Sequence, residues 1–91
     1  MVEKMAEIEV TFRNEATIGV QAQIFAGRTL ISTCVARPGE TGRLRAESAP
    51  YDIFFRNSRT GWELARQLDS RAKTVTLRQQ AGRFQMTGSE K

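Results

Sequence analysis

The sequence contains no histidine and only one cysteine, Cys34. Without an imidazole, neither a Ser-His-Asp triad nor a Cys-His pair can be assembled. One thiol cannot close an intrachain disulfide, and with no histidine beside it there is no zinc-ligand spacing. Small secreted domains usually lean on disulfides, so the lone cysteine points to a reducing, cytoplasmic setting. Cys34 lies in an apolar run, which reads as a buried, inert thiol. No stretch reaches the roughly 18 apolar residues of a membrane span, and residues 1–10 carry three glutamates and no signal-peptide core. The seven glycines are scattered singly, so no phosphate loop is present. The carboxylates are scattered too; only Glu3, Glu7 and Glu9 crowd together, and no acid–base pair stands out. The chain therefore reads as non-enzymatic, with no metal and no cofactor implied.

What is present fits one small domain. The 91 residues are 40 % apolar and 26 % charged, an ordinary globular balance. A chain of this length buries roughly 63 % of its unfolded surface, enough for a modest core. The net charge is +4, with 11 arginines against 3 lysines. Arginine makes planar, bidentate contacts with carboxylates and phosphates that lysine cannot. The excess fits either an anionic partner or a solvated surface, because charge balance speaks to solubility rather than to fold.

Apolar and polar residues alternate along most of the chain, the signature of half-buried strands. Ile8, Val10 and Phe12 share one face; Ile18, Val20, Ala22 and Ile24 resume it after Asn14–Thr17 breaks the pattern. Leu30–Ala36 is apolar without clean alternation, which predicts a strand buried on both faces or one carrying a bulge. Arg37-Pro38-Gly39-Glu40 suits a type II turn. Thr41–Glu47 is a polar strand with Leu44 and Ala46 inward; its charges Arg43, Arg45 and Glu47 suit a sheet edge. Tyr51, Ile53 and Phe55 alternate next, opposite Asp52, Phe54 and Arg56. Residues 61–70 are ambiguous. Trp62, Ala65, Leu68 and Ala72 are spaced like a helix face, and Thr60 and Glu63 match a capping box. Gly61 and the short length oppose a helix, and neighbouring strands need a partner, so strand is preferred. Lys73–Arg78 and Arg83–Thr87 complete the pattern.

The expected architecture is all-β: a single antiparallel β-sandwich of seven or eight short strands, immunoglobulin/prealbumin-like. The domain is expected over residues 7–87, with 1–6 disordered or extended and 88–91 a frayed tail. The expected core is Ile8, Val10, Phe12, Val20, Ile24, Leu30, Val35, Leu44, Ile53, Phe55, Leu64, Val75, Leu77 and Phe84.

Residues 10–64 resemble the β domain of the von Hippel–Lindau family. The resemblance is carried by Val10-Thr11-Phe12-Arg13-Asn14, Gly27, Pro38-Gly39-Glu40-Thr41-Gly42, Phe55-Arg56-Asn57, Thr60-Gly61 and Leu64. It implies a seven-stranded sandwich and a general binding role. It does not extend to the family's hydroxyproline pocket, because Ile53 stands where a pocket tryptophan is expected and the chain has no histidine. Oxygen sensing and ubiquitin-ligase assembly are not implied.

The function expected from these features is protein–protein interaction, with a partner chain or a second copy. Two surfaces are candidates. One is an aromatic–arginine patch of Tyr51, Phe54, Arg56, Arg59 and Trp62, since tryptophan and arginine concentrate at binding hot spots. In a chain of this length a single buried tryptophan is the default expectation, so the exposure of Trp62 decides the matter. The other is an open strand edge carrying Arg43 and Arg45, or Arg83, where backbone groups can accept an added strand. Single-stranded nucleic acid is the alternative partner, with bases stacked on Phe54-Phe55-Arg56 or Arg83-Phe84. Carbohydrate binding is a further alternative.

Overall fold

In a computed structural model of the chain, residues 7–91 are described. The expectation for residues 1–6 lies outside them. The described residues form eight strands and no helix: β1 Ile8–Glu15, β2 Val20–Ala26, β3 Thr29–Ala36, β4 Thr41–Ala46, β5 Tyr51–Asn57, β6 Glu63–Ser70, β7 Thr74–Gln80 and β8 Arg83–Ser89. They make two four-stranded sheets, ordered β4-β1-β7-β8 and β3-β2-β5-β6, which pack face to face as a β-sandwich.

Every connection reverses the chain direction, so odd strands run one way and even strands the other. Five of the neighbouring pairs couple an odd with an even strand and are antiparallel. The sixth, β1 with β7, couples two odd strands and is parallel. This corrects the expectation of a purely antiparallel sandwich. The cause is the return of the chain from the second sheet to the first after β6, which sets β7 beside β1 rather than beside an even strand.

The inward face of each sheet follows the alternation. Val10, Phe12, Leu44, Val75 and Leu77 come from the first sheet; Val20, Ala22, Ile24, Ile53 and Phe55 come from the second. Phe12 and Phe55 meet across the sheets, ring centroids 5.2 Å apart and tilted by 45°. Small residues complete the core: Ala46, read as inward, is buried, and so are Ala16, Ala36 and Ala72, which the expected core did not include. Ile8, Leu64 and Phe84 are only half-buried and pack against it.

Two expected core residues, Leu30 and Val35, are on the surface instead, 47 % and 61 % exposed. Val35 pairs with Gln21 and Leu30 with Phe25, on the outer face, with a register shift between Ile24 and Phe25. The apolar run of β3 thus reflects a bulged edge strand, not one buried on both faces. Residues 63–70 are strand, because β6 pairs with β5 from Tyr51↔Ser70 to Arg56↔Glu63. The helical spacing has no physical counterpart: Trp62 and Leu68 are exposed while Ala72 is buried. The expected fraying from residue 88 is also corrected. Gly88 and Ser89 pair with Val75 and Thr74, and the Lys73 N–H donates to the Ser89 carbonyl at 2.7 Å.

One buried polar residue ties three segments together at the end of the sandwich where β1 finishes. Asn14 is 1 % exposed. Its Nδ2 donates to the carbonyls of Ile18 and Ala36, both at 2.9 Å, and its Oδ1 accepts the Ala16 N–H at 3.0 Å. Its backbone N–H donates to the Glu40 carbonyl at 3.0 Å, and its own carbonyl accepts the Gly39 N–H at 2.8 Å. A buried amide is tolerated when its groups are paired in this way. The β1–β2 turn and the β3–β4 turn are thereby held to the end of one strand.

Candidate binding surface

The outer face of the β3-β2-β5-β6 sheet is built from side chains that alternate away from the core. Gln21, Gln23 and Phe25 of β2 lie between Val35, Thr33 and Leu30 of β3 on one side and Arg56, Phe54 and Asp52 of β5 on the other. Neither β2 nor β3 contains a charged residue. Phe25 and Phe54 meet edge to face, centroids 5.4 Å apart at 84°, the arrangement that ring quadrupoles favour. The Arg66 guanidinium lies 5.1 Å from the Phe54 ring centroid. Arg66 also holds Glu63 bidentately, Nε to Oε2 at 2.8 Å and Nη2 to Oε1 at 2.9 Å. Arg56 donates from Nε to Gln23 Oε1 at 2.9 Å and from Nη1 to the Gly61 carbonyl at 3.2 Å. The two arginines nearest the aromatics thus have intramolecular partners, and the face they border is apolar and amide-lined.

The β5–β6 loop closes this sheet at one end. Asn57 Oδ1 accepts the N–H groups of Arg59 at 2.8 Å and Thr60 at 3.2 Å, a side chain mimicking a backbone turn. Gly61 follows with φ 77°, a conformation that only glycine adopts without penalty. Trp62 comes next. Its N–H donates to Thr60 Oγ1 at 3.2 Å, its carbonyl accepts the Asn57 N–H at 2.8 Å, and its side chain is 76 % exposed. The exposed large apolar side chains, Leu30, Val35, Trp62 and Leu68, all belong to the edge strands of this sheet or to the loop entering one of them.

Of the five residues expected in an aromatic–arginine patch, four are at the surface or half-buried there: Phe54 and Arg56 on the outer face, Arg59 and Trp62 in the loop. Tyr51 is not. It is 3 % exposed, and its hydroxyl donates to the Ala72 carbonyl in the core. Burial pushes its phenol pKa up, opposed by a hydrogen bond with Ser70. Its exclusion follows from phase, since it alternates with the inward Ile53 and Phe55. Phe25, Leu30, Val35, Arg66 and Leu68 were missed. Phe25 was findable, since it continues the outward phase of Gln21 and Gln23.

The edge-strand expectations land on edges: Arg43 and Arg45 lie on β4 and Arg83 on β8, the two flanks of the first sheet. The β4 flank is partly occupied, because Arg45 N–H donates to Ser32 Oγ of β3 at 3.1 Å. Nearby, a Cβ at Gly42 would sit 2.8 Å from Cys34 Sγ, so glycine permits this close approach. Cys34 is half-buried, and desolvation raises its thiol pKa, which disfavours the nucleophilic thiolate. Phe84, a candidate base-stacking residue, packs partly against the core. Among the described residues no group of three or more His, Cys, Asp or Glu side chains is placed to hold a metal ion, and no helix is long and apolar enough to cross a membrane.

Comparison of the chain with protein-family models, with curated proteins and with solved structures returned no match.

Proposed function

We propose that this domain is a non-catalytic protein–protein interaction module whose partner docks on the outer face of the β3-β2-β5-β6 sheet, with Trp62 as an anchor at its end. The observation that carries this reading is that the exposed large apolar side chains Leu30, Val35, Trp62 and Leu68 all lie on the two edge strands of one sheet or the loop entering one of them, with the Phe25–Phe54 pair on the strands between. Exposed apolar side chains concentrated on one sheet point to an interaction site, and a bare tryptophan is a typical anchor. A cytoplasmic setting belongs to the same proposal and is in keeping with a lone, half-buried cysteine.

At the level of fold, we propose the immunoglobulin/prealbumin-like class and a von Hippel–Lindau-type β domain. The two-sheet arrangement supports this, with one strand more than the seven the resemblance implies, as does Asn14, which the resemblance includes and which pins two turns.

The test is photo-crosslinking. A photoreactive residue is placed in turn at Val35, at Trp62 and, as a control on the opposite sheet, at Thr76. Discrete adducts in host extract from the first two positions and not the third are expected. Adducts from Thr76 alone would sink the assignment of the face.

A further inference from the structure

Four strands flank the two sheets, and three of them are guarded against pairing with another chain. β4 carries the charges Arg43 and Arg45, and the Arg45 N–H is already held by Ser32. β3 is bulged opposite Ile24 and Phe25 and lies against β4. β6 carries two register shifts, the charges Glu63, Arg66 and Asp69, and a positive φ of 54° at Asp69. Bulges and edge charges are the usual devices that stop edge-to-edge association.

β8 has almost none of them. It pairs with β7 without a shift from Thr74↔Ser89 to Gln80↔Arg83. Residues 84–89, Phe-Gln-Met-Thr-Gly-Ser, contain no charge and no proline. Apart from β7 and its entry at Lys73, no described segment hydrogen-bonds to its backbone. β6 of the other sheet approaches β8, and a cleft of about 300 Å³ at the end of β8 is lined by Asp69, Arg71 and Glu90 as well as Ala72, Met86 and Gly88.

We propose that β8 is a self-pairing edge: two copies of the chain join β8 to β8 antiparallel about a twofold axis at Met86, making one eight-stranded sheet. Residues directly opposite in an antiparallel pair share a face. With Met86 on the axis, Arg83 lies opposite Ser89 of the second copy, Phe84 opposite Gly88, and Gln85 opposite Thr87. No like charges oppose one another. On the core side, each Phe84 ring covers a glycine that has no side chain of its own, a known way of reinforcing edge glycines, and the two flexible Met86 thioethers meet at the axis. A slip of one residue would set the half-buried Phe84 opposite outward-facing residues. Moving the axis to Gln85 would shorten the ladder to Arg83–Thr87, because Gly82 has a turn conformation with φ 77°. The match of the strand to itself, with no charge to select a different sequence, favours a second copy over a foreign peptide. Seven residues a side make a contact below about 1,200 Å², the weak, reversible class of interface. This surface is separate from the outer face assigned above, so either proposal can fail without the other.

Sedimentation equilibrium from micromolar to millimolar protein is the test, run on the wild type and on two double variants. Gln85 and Thr87 are exposed, so Gln85→Lys/Thr87→Lys and Gln85→Glu/Thr87→Glu should keep the wild-type circular-dichroism spectrum. Each places like charges opposite one another across the axis. Expected are a reversible wild-type dimer, at least about tenfold weaker dimerisation of each double variant alone, and recovery of dimer in an equimolar mixture of the two. A wild type that stays monomeric at millimolar concentration overturns the proposal. So does a lysine variant that dimerises as well as wild type, or a mixture that fails to recover.

Discussion

The two sheets have the same number of strands and share one core, yet their outer faces are written differently. On the β4-β1-β7-β8 sheet the outward residues are charged, hydroxylated or, as at Gln85, amide-bearing. Arg43 meets Glu9 at 3.4 Å, Arg45 meets Glu7 at 4.0 Å, and Arg78 meets Glu15 at 3.0 Å, with Thr11, Thr74, Thr76 and Thr87 among them. On the β3-β2-β5-β6 sheet the corresponding positions hold Phe25, Phe54, Leu30 and Val35 with glutamines between them, and charge is confined to β5 and β6, with Asp52 and Arg56 on the first and the Glu63–Arg66 pair on the second. Scattered apolar residues on a surface need no explanation, whereas their concentration on the outer side of one sheet and not the other does. The contrast teaches that backbone architecture set the strands, while the odd-phase side chains remained available for another task.

Both faces depend on a common frame, so the largest effect comes from breaking it. Asn14→Ala removes two amide donations and one acceptance at a buried site and should cost about 3 kcal/mol. Urea unfolding measures it, and Asn14→Asp, which loses the Nδ2 donors, should not rescue it. A loss within the error of the wild type would deny the residue its pinning role. Next comes a probe of the apolar face alone. Phe54→Ala deletes the edge-to-face pair and the Arg66 contact, with an expected loss of about 1–2 kcal/mol. Thr76→Ala on the opposite face is the control and should lie within about 0.5 kcal/mol of wild type. The smallest effect is expected from the ionic face. Arg43 and Glu9 side chains are 79 % and 67 % exposed, so a double-mutant cycle on them should return about 0–0.5 kcal/mol and vanish in high salt. A coupling above about 1 kcal/mol would mean that the ionic face contributes to stability as the aromatic one does.

Much of the fold was legible because alternation is a direct image of a pleated, one-side-buried strand. β1, β2, β5 and β7 show it cleanly, and their inward residues are the buried ones. β3 was not legible in the same way. A bulged edge strand with apolar residues on both faces has the composition of a central strand, and only its partners distinguish them. The buried alanines other than Ala22 and Ala46 were hidden because a methyl group carries little hydrophobic signal, although the tight packing of two sheets needs small residues between large ones. The ambiguity over residues 61–70 was resolved by pairing with β5, a tertiary effect invisible to local spacing. Within the candidate site, the phases of Phe54, Arg56 and Tyr51 were all readable. The exposure of Trp62 was not, because it lies in a loop entry outside any alternation.

An even count of strands, joined only by reversals, delivers the chain's two described extremities to one pole of the sandwich. Ile8 opens β1 and Ser89 closes β8 at the same pole, level with Ala46 and Thr74. The hairpin that bears Trp62 sits at the other. Whichever extremity is anchored to a bead, a chip or a further polypeptide, the tryptophan is the part held outward, and both modes of attachment present the same tip.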